Sequence, residues 1–275
     1  MPHLTIGEIL KKSGLDRLES QIILAHVLGV DRVWLFVHDD VLICEEQKLE
    51  FDTLVQRRLE GEPIAYLVGS REFMGLELNV DNSVLIPRPD TELLVECALD
   101  FLKTTPTGAR ILDLGTGSGA IAISIANFMP KCEVYAVDIS KEALKVAYLN
   151  AKNHGVHIKF FEGSWFDALP YDVGTFDLIV SNPPYIASDD IHLQLGDVRY
   201  EPITALVGGN DGLSEYIKIM KQVHDFIHSG SAIMFEHGWT QGAELRRILE
   251  QGHCHKINTH KDLAGHERVT CGVFA

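Results

Sequence analysis

The sequence predicts an α/β protein in which a small bundle of helices precedes a mostly parallel sheet. Three observations predict it. Up to about residue 70, apolar residues recur only at helical spacing. From residue 110, short apolar runs alternate with amphipathic stretches of about 10–15 residues, the signature of strands joined by crossover helices. The last two extended stretches have no helix between them, which makes them an antiparallel hairpin.

Taken in order, Thr5 caps a first helix through Lys12, with Ile6, Ile9 and Leu10 on one face. A second helix runs from about Asp16 to Val27, where Leu18, Ile22, Ala25 and Leu28 or Gly29 fall at helical spacing. A short third holds Trp34, Leu35 and Phe36. A fourth covers Glu45 to Glu60, with Leu49, Leu54, Val55 and Leu59 inward, and stops before Gly61 and Pro63. Phe73–Val80 and Val84–Ile86 read as two extended stretches around an Asp81-Asn82-Ser83 turn. Pro87-Arg88-Pro89 forces extended backbone, because proline restricts itself and its predecessor. Thr91 then caps a helix through Leu102. Strands follow at 111–114, 134–137, 158–161, 176–180, 232–236, 255–261 and 268–274. Helices are expected at 119–128, 140–153, 213–227 and 242–250.

Composition narrows the function classes. With 275 residues, 46% of them hydrophobic, the chain has enough material for two domains with their own cores. Residues 1–90 carry 9 basic and 16 acidic side chains and the remainder 15 and 23, for a net charge of −15. Neither part has the basic excess of a phosphate-tracking surface, so direct nucleic-acid binding is not expected. Five scattered cysteines without a CxxC pair point to no disulfide framework and no zinc site. No basic region and long apolar run opens the chain over Met1–Glu8, and no stretch approaches the ~20 apolar residues of a membrane span. A cytoplasmic protein with no membrane partner is the expectation.

Two constellations carry chemistry. The first is Asp113-Leu114-Gly115-Thr116-Gly117-Ser118-Gly119, directly after a strand and opening a helix. Glycines there permit a sharp turn and the close approach of a ligand. Asp138 ends the next strand, where a carboxylate can accept from ribose hydroxyls. A GTGSG loop lacks the last-glycine spacing of a dinucleotide turn, so a nucleoside without phosphates suits it better. The second constellation, Ser181-Asn182-Pro183-Pro184-Tyr185, follows the fourth strand of the alternating region and so falls on the same sheet edge. Its prolines remove backbone donors, Asn182 adds an acceptor and Tyr185 a flat face. Acceptors beside a flat surface suit a planar NH2 group, an amide or a base amino group.

DLGTGSG, AVDIS, GSWFDAL and SNPPYI, in this order, resemble the protein-glutamine branch of the class I S-adenosylmethionine-dependent methyltransferases. GEPIAYLVGSREFMGLELNV, LIPRPDTE, GDVRYEPITALVGGNDG and HERVT are similar in particular to the peptide chain release factor N5-glutamine methyltransferases. The similarity runs over essentially the whole chain, more loosely in the helical part. It implies a Rossmann-like fold with a seven-stranded sheet and a terminal antiparallel hairpin. It implies S-adenosylmethionine as cofactor, S-adenosylhomocysteine as product, no metal, and class 1 release factors as protein substrate. Residues 1–70 would recognise that substrate, 71–90 would be hairpin and linker, and 91–275 the transferase domain. Gly115, Thr116, Gly117, Ser118 and Gly119 would wrap the methionine part, Asp138 the ribose, and Trp165 the adenine. Asn182 and the Pro183 carbonyl would accept from the two amide hydrogens, with Pro184 beside them and Tyr185 against the amide plane.

NPPY alone is shared with amino-methyltransferases of adenine and cytosine. A nucleic-acid adenine methyltransferase, a glutamine methyltransferase of a ribosomal protein, and a cofactor-binding module without turnover are therefore the competing readings. Arg88, either a linker anchor or a pocket wall, and Glu236-His237, at the end of a strand on the active edge, are left without a role. His253-Cys254-His255 and His260 have no metal-ligand spacing and read as a surface turn.

Overall fold

The computed structural model describes residues 4–275. Met1, Pro2 and His3, part of the Met1–Glu8 opening in which no secretory signal is expected, lie outside the described residues. The chain divides into two compact units, Met1–Ser70 with Gln194–Tyr200, and Arg71–Leu193 with Glu201–Ala275.

The first unit is built from α1 (Ile6–Lys12), α2 (Arg17–Leu28), α3 (Arg32–Val37), α4 (Glu45–Leu59) and α5 (Ile64–Val68). Thr5 and Glu8 form a reciprocal capping box that fixes the start of α1, and Asp16 caps α2. Ile6, Ile9, Ile23, Leu24, Leu35, Phe51, Leu54 and Leu67 make one core. Two expected helix faces are shifted. On α2, Ser20, Gln21, Ile23, Leu24 and Ala25 are buried while Leu18 is exposed, because Ser20 Oγ turns inward to Ser13 Oγ and the Asp16 carbonyl. On α4, Phe51 with Leu54 and Val55 faces inward, and Leu49 and Leu59 lie in solvent. Gln194–Tyr200, far along the chain, belongs to this unit. Arg58 pairs with both Glu19 (2.7 Å) and Asp197 (2.9 Å), and Arg199 and Tyr200 donate to the Glu60 carbonyl.

The second unit begins with a hairpin, β1 (Ser70–Phe73) and β2 (Leu76–Asn79). Its turn is Met74-Gly75 and not Asp81-Asn82-Ser83, with both residues in the left-handed region, the geometry that matches strand twist. Asp81 instead closes a local turn by accepting from the Ser83 N–H (2.9 Å), and Val84 and Ile86 are buried outside any ladder. α6 (Pro89–Leu102) starts two residues before Thr91, with Arg88 at the cap position and Pro89 leading the helix. Thr91 is thus a buried first-turn residue and not the cap.

The sheet then follows as β3 (Arg110–Leu114), α7 (Ala120–Phe128), β4 (Glu133–Asp138), α8 (Lys141–Asn153), β5 (Ile158–Glu162) and β6 (Phe176–Ser181). It ends with α9 (Ser214–Gln222), β7 (Ile227–Glu236), α10 (Gly242–Gln251), β8 (Cys254–Lys261) and β9 (Glu267–Phe274). Strand order is β5-β4-β3-β6-β7-β9-β8, parallel except for the pairs made by β9. Period-2 alternation divides each central strand between two cores. Ile111, Val134, Ala136, Leu178, Val180 and Met234 face α6, α7 and α8. Leu112, Leu114, Tyr135, Ile179, Ile233 and Phe235 face α9 and α10. The carboxyl ends of β3, β4, β6 and β7 therefore share one edge, where Asp113, Asp138, Asn182 and Glu236 stand. Among the described residues no helix is long and apolar enough to cross a membrane.

Candidate functional site

The loop between β3 and α7 is held from below and from the side. The Gly115 and Thr116 N–H groups both donate to the Val137 carbonyl, which presses the loop onto the end of β4. Gly115, Gly117 and Gly119 all have positive φ. At Gly119 space is demanded as well, because a Cβ would come within 2.7 Å of Ile123 and 3.2 Å of Ala147 where α7 and α8 meet. Asp138 closes the arrangement. One carboxylate oxygen accepts from the Gly117 N–H (2.8 Å) and the other from the Ser140 N–H (2.8 Å). Burial raises its pKa, and those N–H groups pull the other way. Each oxygen keeps a further lone pair for a ligand hydroxyl.

Asp113 is a different acid. It is fully buried, accepts from Thr116 Oγ1 (2.6 Å) through one oxygen and has no partner for the other. Burial, with a smaller contribution from the Asp138 charge, pushes its pKa up to about 7. Its hydrogen bond to Thr116 ties it to the loop as a support.

A cavity of about 350 Å³ opens on this edge. Gly115, Gly117, Asp138, Trp165, Asn182 and Pro184 all line it. Trp165 holds a left-handed backbone, with φ 48°, and its indole N–H donates to Glu215 (2.9 Å), so the ring lies over Gly115. Of the other residues the sequence pointed to, Thr116 turns to Asp113 and Ser118 is buried with its carbonyl accepting from Asn150 (2.9 Å). Gly119 packs against helices, and Pro183 is buried.

The Asn182 side chain is oriented by a residue the sequence assigned to capping. Its Nδ2 donates to Thr91 Oγ1 (3.2 Å) in the first turn of α6, which leaves Oδ1 as the remaining acceptor. The Thr91 hydroxyl in turn stabilises the ionised form of Glu236, the last residue of β7. Tyr185 Oη lies 3.4 Å from the same carboxyl. Glu236 is 1% exposed, one of its oxygens has no partner, and burial pushes its pKa up to about 7. Buried Thr91 and Glu236 and half-buried Tyr185 thus form one cluster beside Asn182. Burial also raises the Tyr185 pKa well above its ordinary value.

Backbone from the 208–212 segment backs the Asn-Pro-Pro-Tyr loop. A Cβ at Gly208 would sit 2.3 Å from the Pro184 carbonyl oxygen, and one at Gly212 2.1 Å from that of Tyr185. Gln241 Nε2 donates to the Tyr185 carbonyl (3.1 Å). Arg88 pairs with fully buried Glu201 (2.5 Å), which also accepts from the Ile86 N–H, so Arg88 anchors the Pro87-Arg88-Pro89 segment. His237 is likewise structural. Buried and with its pKa lowered by burial, it meets Thr270 Oγ1 through Nε2 (2.8 Å) and the Gly238 carbonyl through Nδ1 (2.9 Å).

Known proteins resemble this chain over nearly its whole length. Residues 6–69 match the family model of the PrmC N-terminal domain, and residues 89–198 that of the methyltransferase small domain. A release factor glutamine methyltransferase of Bordetella pertussis is 46% identical over 98% of this chain and 99% of its own length. The enzyme of that name from Escherichia coli is 43% identical over 96% and 95%. A methyltransferase crystal structure from Pyrococcus furiosus, 22% identical, superposes with a TM-score of 0.53 over 80% of this chain and 96% of the other, a likeness of fold alone. On near-full-length identity to those relatives, this chain belongs to the family of release factor glutamine methyltransferases.

Proposed function

We propose that this protein methylates the side-chain amide nitrogen of the glutamine in the Gly-Gly-Gln motif of class 1 peptide chain release factors, with S-adenosylmethionine as donor. The observation that carries the reading is the single cavity running from Asp138 and Trp165 to Asn182 and Pro184. Its volume falls within the roughly 300–1,000 Å³ of small-molecule sites. The donor set suits a nucleoside: a carboxylate for vicinal hydroxyls, an indole face, and a loop whose glycines admit a ligand closely. Gly115 to Gly119 would hold the amino-acid part, Asp138 the ribose, and Trp165 the adenine. When bound, S-adenosylmethionine supplies an electrophilic methyl group on a positively charged sulfur.

The residues of the chain supply the rest. An amide nitrogen is a poor nucleophile because its lone pair is delocalised into the carbonyl. Asn182 Oδ1 and the Pro183 carbonyl would each accept one amide N–H, drawing density onto nitrogen and fixing its direction of approach. Pre-orientation and fixed dipoles of this kind lower a barrier without metal or covalent chemistry. Pro184 would wall the pocket, and the Tyr185 ring would lie on the amide plane. Thr91 and Glu236 act one step back: they position Asn182 and Tyr185, and do not touch the substrate. Residues 1–70 would recognise the release factor, and the transferase domain would begin near residue 91 after the hairpin and linker. The site would work in the cytoplasm, where release factors act, and needs neither nucleic acid nor membrane. The experiment is incubation with radiolabelled S-adenosylmethionine and either a release factor, its Gln→Ala variant in the Gly-Gly-Gln motif, or nucleic acid. Label is expected on the unmodified release factor alone; label on nucleic acid would reassign the substrate.

A further inference from the structure

Three side chains that look unrelated in sequence converge beside α6. Cys97 on α6, His260 on β8 and Cys271 on β9 place their ligand atoms within 4.8 Å of one another. All three are half-buried, and they line a cavity of about 290 Å³. The cavity is separate from the one at the strand edge and shares none of its lining residues. Two further groups on α6, Glu96 and Asp100, also reach this cavity.

We propose that Cys97, Cys271 and His260 form a binding site for a thiophilic d¹⁰ cation, zinc(II) being the reference ion. Two thiolates and an imidazole are a donor set that favours such an ion over magnesium or calcium. With metal–sulfur and metal–nitrogen bonds of about 2.3 and 2.0 Å, a tetrahedral ion needs ligand atoms roughly 3.6–3.8 Å apart. The present separations are all within 4.8 Å, and side-chain torsions can close the remainder. The fourth position falls to water or to a carboxylate from Glu96 or Asp100. Each thiol gives up its proton to solvent as its sulfur–metal bond forms, and the imidazole binds as the neutral ring. Asn258 lies 3.2 Å from His260 Nε2, and its amide can pair with either tautomer, as the outer partner of a ligating histidine does. The ion would tie the middle of α6 to β8 and β9. Thr91, which orients Asn182, lies in the first turn of that helix.

Titration of the reduced full-length protein with cobalt(II) tests the site. One equivalent is expected to bind with sulfur-to-cobalt charge-transfer absorption and the intense visible bands of a tetrahedral ion, and zinc(II) should displace it. The Cys97→Ser/Cys271→Ser variant should lose both signals while Cys132→Ser keeps them, and His260→Ala should alter the visible bands. A second measurement needs no variant: zinc(II) should slow alkylation of Cys97 and Cys271 but not of exposed Cys44, read by mass spectrometry. Absence of thiolate bands, their survival in the double variant, or alkylation indifferent to zinc(II) would each overturn the assignment.

Discussion

The two halves of the strand edge are built from different materials. At the ends of β3 and β4, the key carboxylate, Asp138, is held by main-chain N–H groups of Gly117 and Ser140. At the ends of β6 and β7, Asn182 is held by a side chain, Thr91, which with Tyr185 adjoins the buried carboxyl of Glu236. Among substitutions only proline removes a main-chain N–H, whereas side-chain support can be cut by many changes at each residue. The half proposed to hold the nucleoside should therefore respond to change as a local loss of affinity. The amide half should respond as a loss of orientation that spreads from residue to residue.

The largest expected effect tests that contrast directly. Asn182→Ala should leave cofactor affinity nearly intact and lower turnover by ~100-fold or more, the scale for removal of one preorganised polar contact. Asn182→Asp keeps acceptors but adds a charge to a partly desolvated pocket, so its residual activity should vary with pH. Near-normal turnover of Asn182→Ala on a release factor would reduce the loop to a structural turn. Next in size, Asp138→Ala should weaken cofactor binding by about 2–3 kcal/mol, as for lost hydrogen bonds to a charged acceptor. Calorimetry reads this, and circular dichroism should show an unchanged fold. Unaltered affinity would remove Asp138 from the nucleoside site.

How much of this was legible in the sequence depends on the range of the interaction. The strands of the parallel sheet are readable because each residue pair states its own two-faced burial, as in Leu178, Ile179 and Val180. Asp113, Asp138 and Asn182 are readable because a strand end places them without help from distant chain. The role of Thr91 is not, since it depends on Asn182, ninety-one residues away, and first-turn position alone resembles a cap. The hairpin turn is missed because Met74 accepts a left-handed backbone that composition assigns to Asp or Asn. Leu49 and Leu59 fit a helical stripe but face solvent, while Arg58 of the same helix spends its charge on Glu19 and Asp197. Cys97, His260 and Cys271 meet only when β8 and β9 fold beside α6.

A third effect isolates the positioning of Asn182. Thr91→Val keeps the shape of the side chain but removes the acceptor for Asn182 Nδ2. Turnover should fall about tenfold, equivalent to ~1.4 kcal/mol of barrier, with little change in KM for cofactor. Thr91→Ser should restore most of it. If valine matches the unmodified enzyme, the Asn182 amide is oriented by the loop alone and the contrast between the two halves fails.

The smallest effect concerns the carboxyl behind that contact. The pKa of Glu236 is raised to about 7 in the folded protein by burial, against about 4.3 for an exposed glutamate. The sign follows from proton binding. Between those values the folded state holds a proton that the unfolded state has released, so stability is full at low pH and falls as pH rises toward 7. From pH 6 to pH 8 this one group should cost about 1 kcal/mol. Glu236→Gln removes the ionisation while keeping a polar group beside Thr91 and Tyr185. Its denaturation midpoint should therefore fall less steeply over that interval than that of the unmodified protein. Asp113, buried with a pKa of about 7, adds a similar slope to both proteins and cancels in the comparison. Parallel pH dependence in the two proteins would mean that Glu236 is ionised throughout. Tyr185 would then face a charged carboxylate, and the amide half would rest on charge instead of on a neutral hydrogen-bonded cluster.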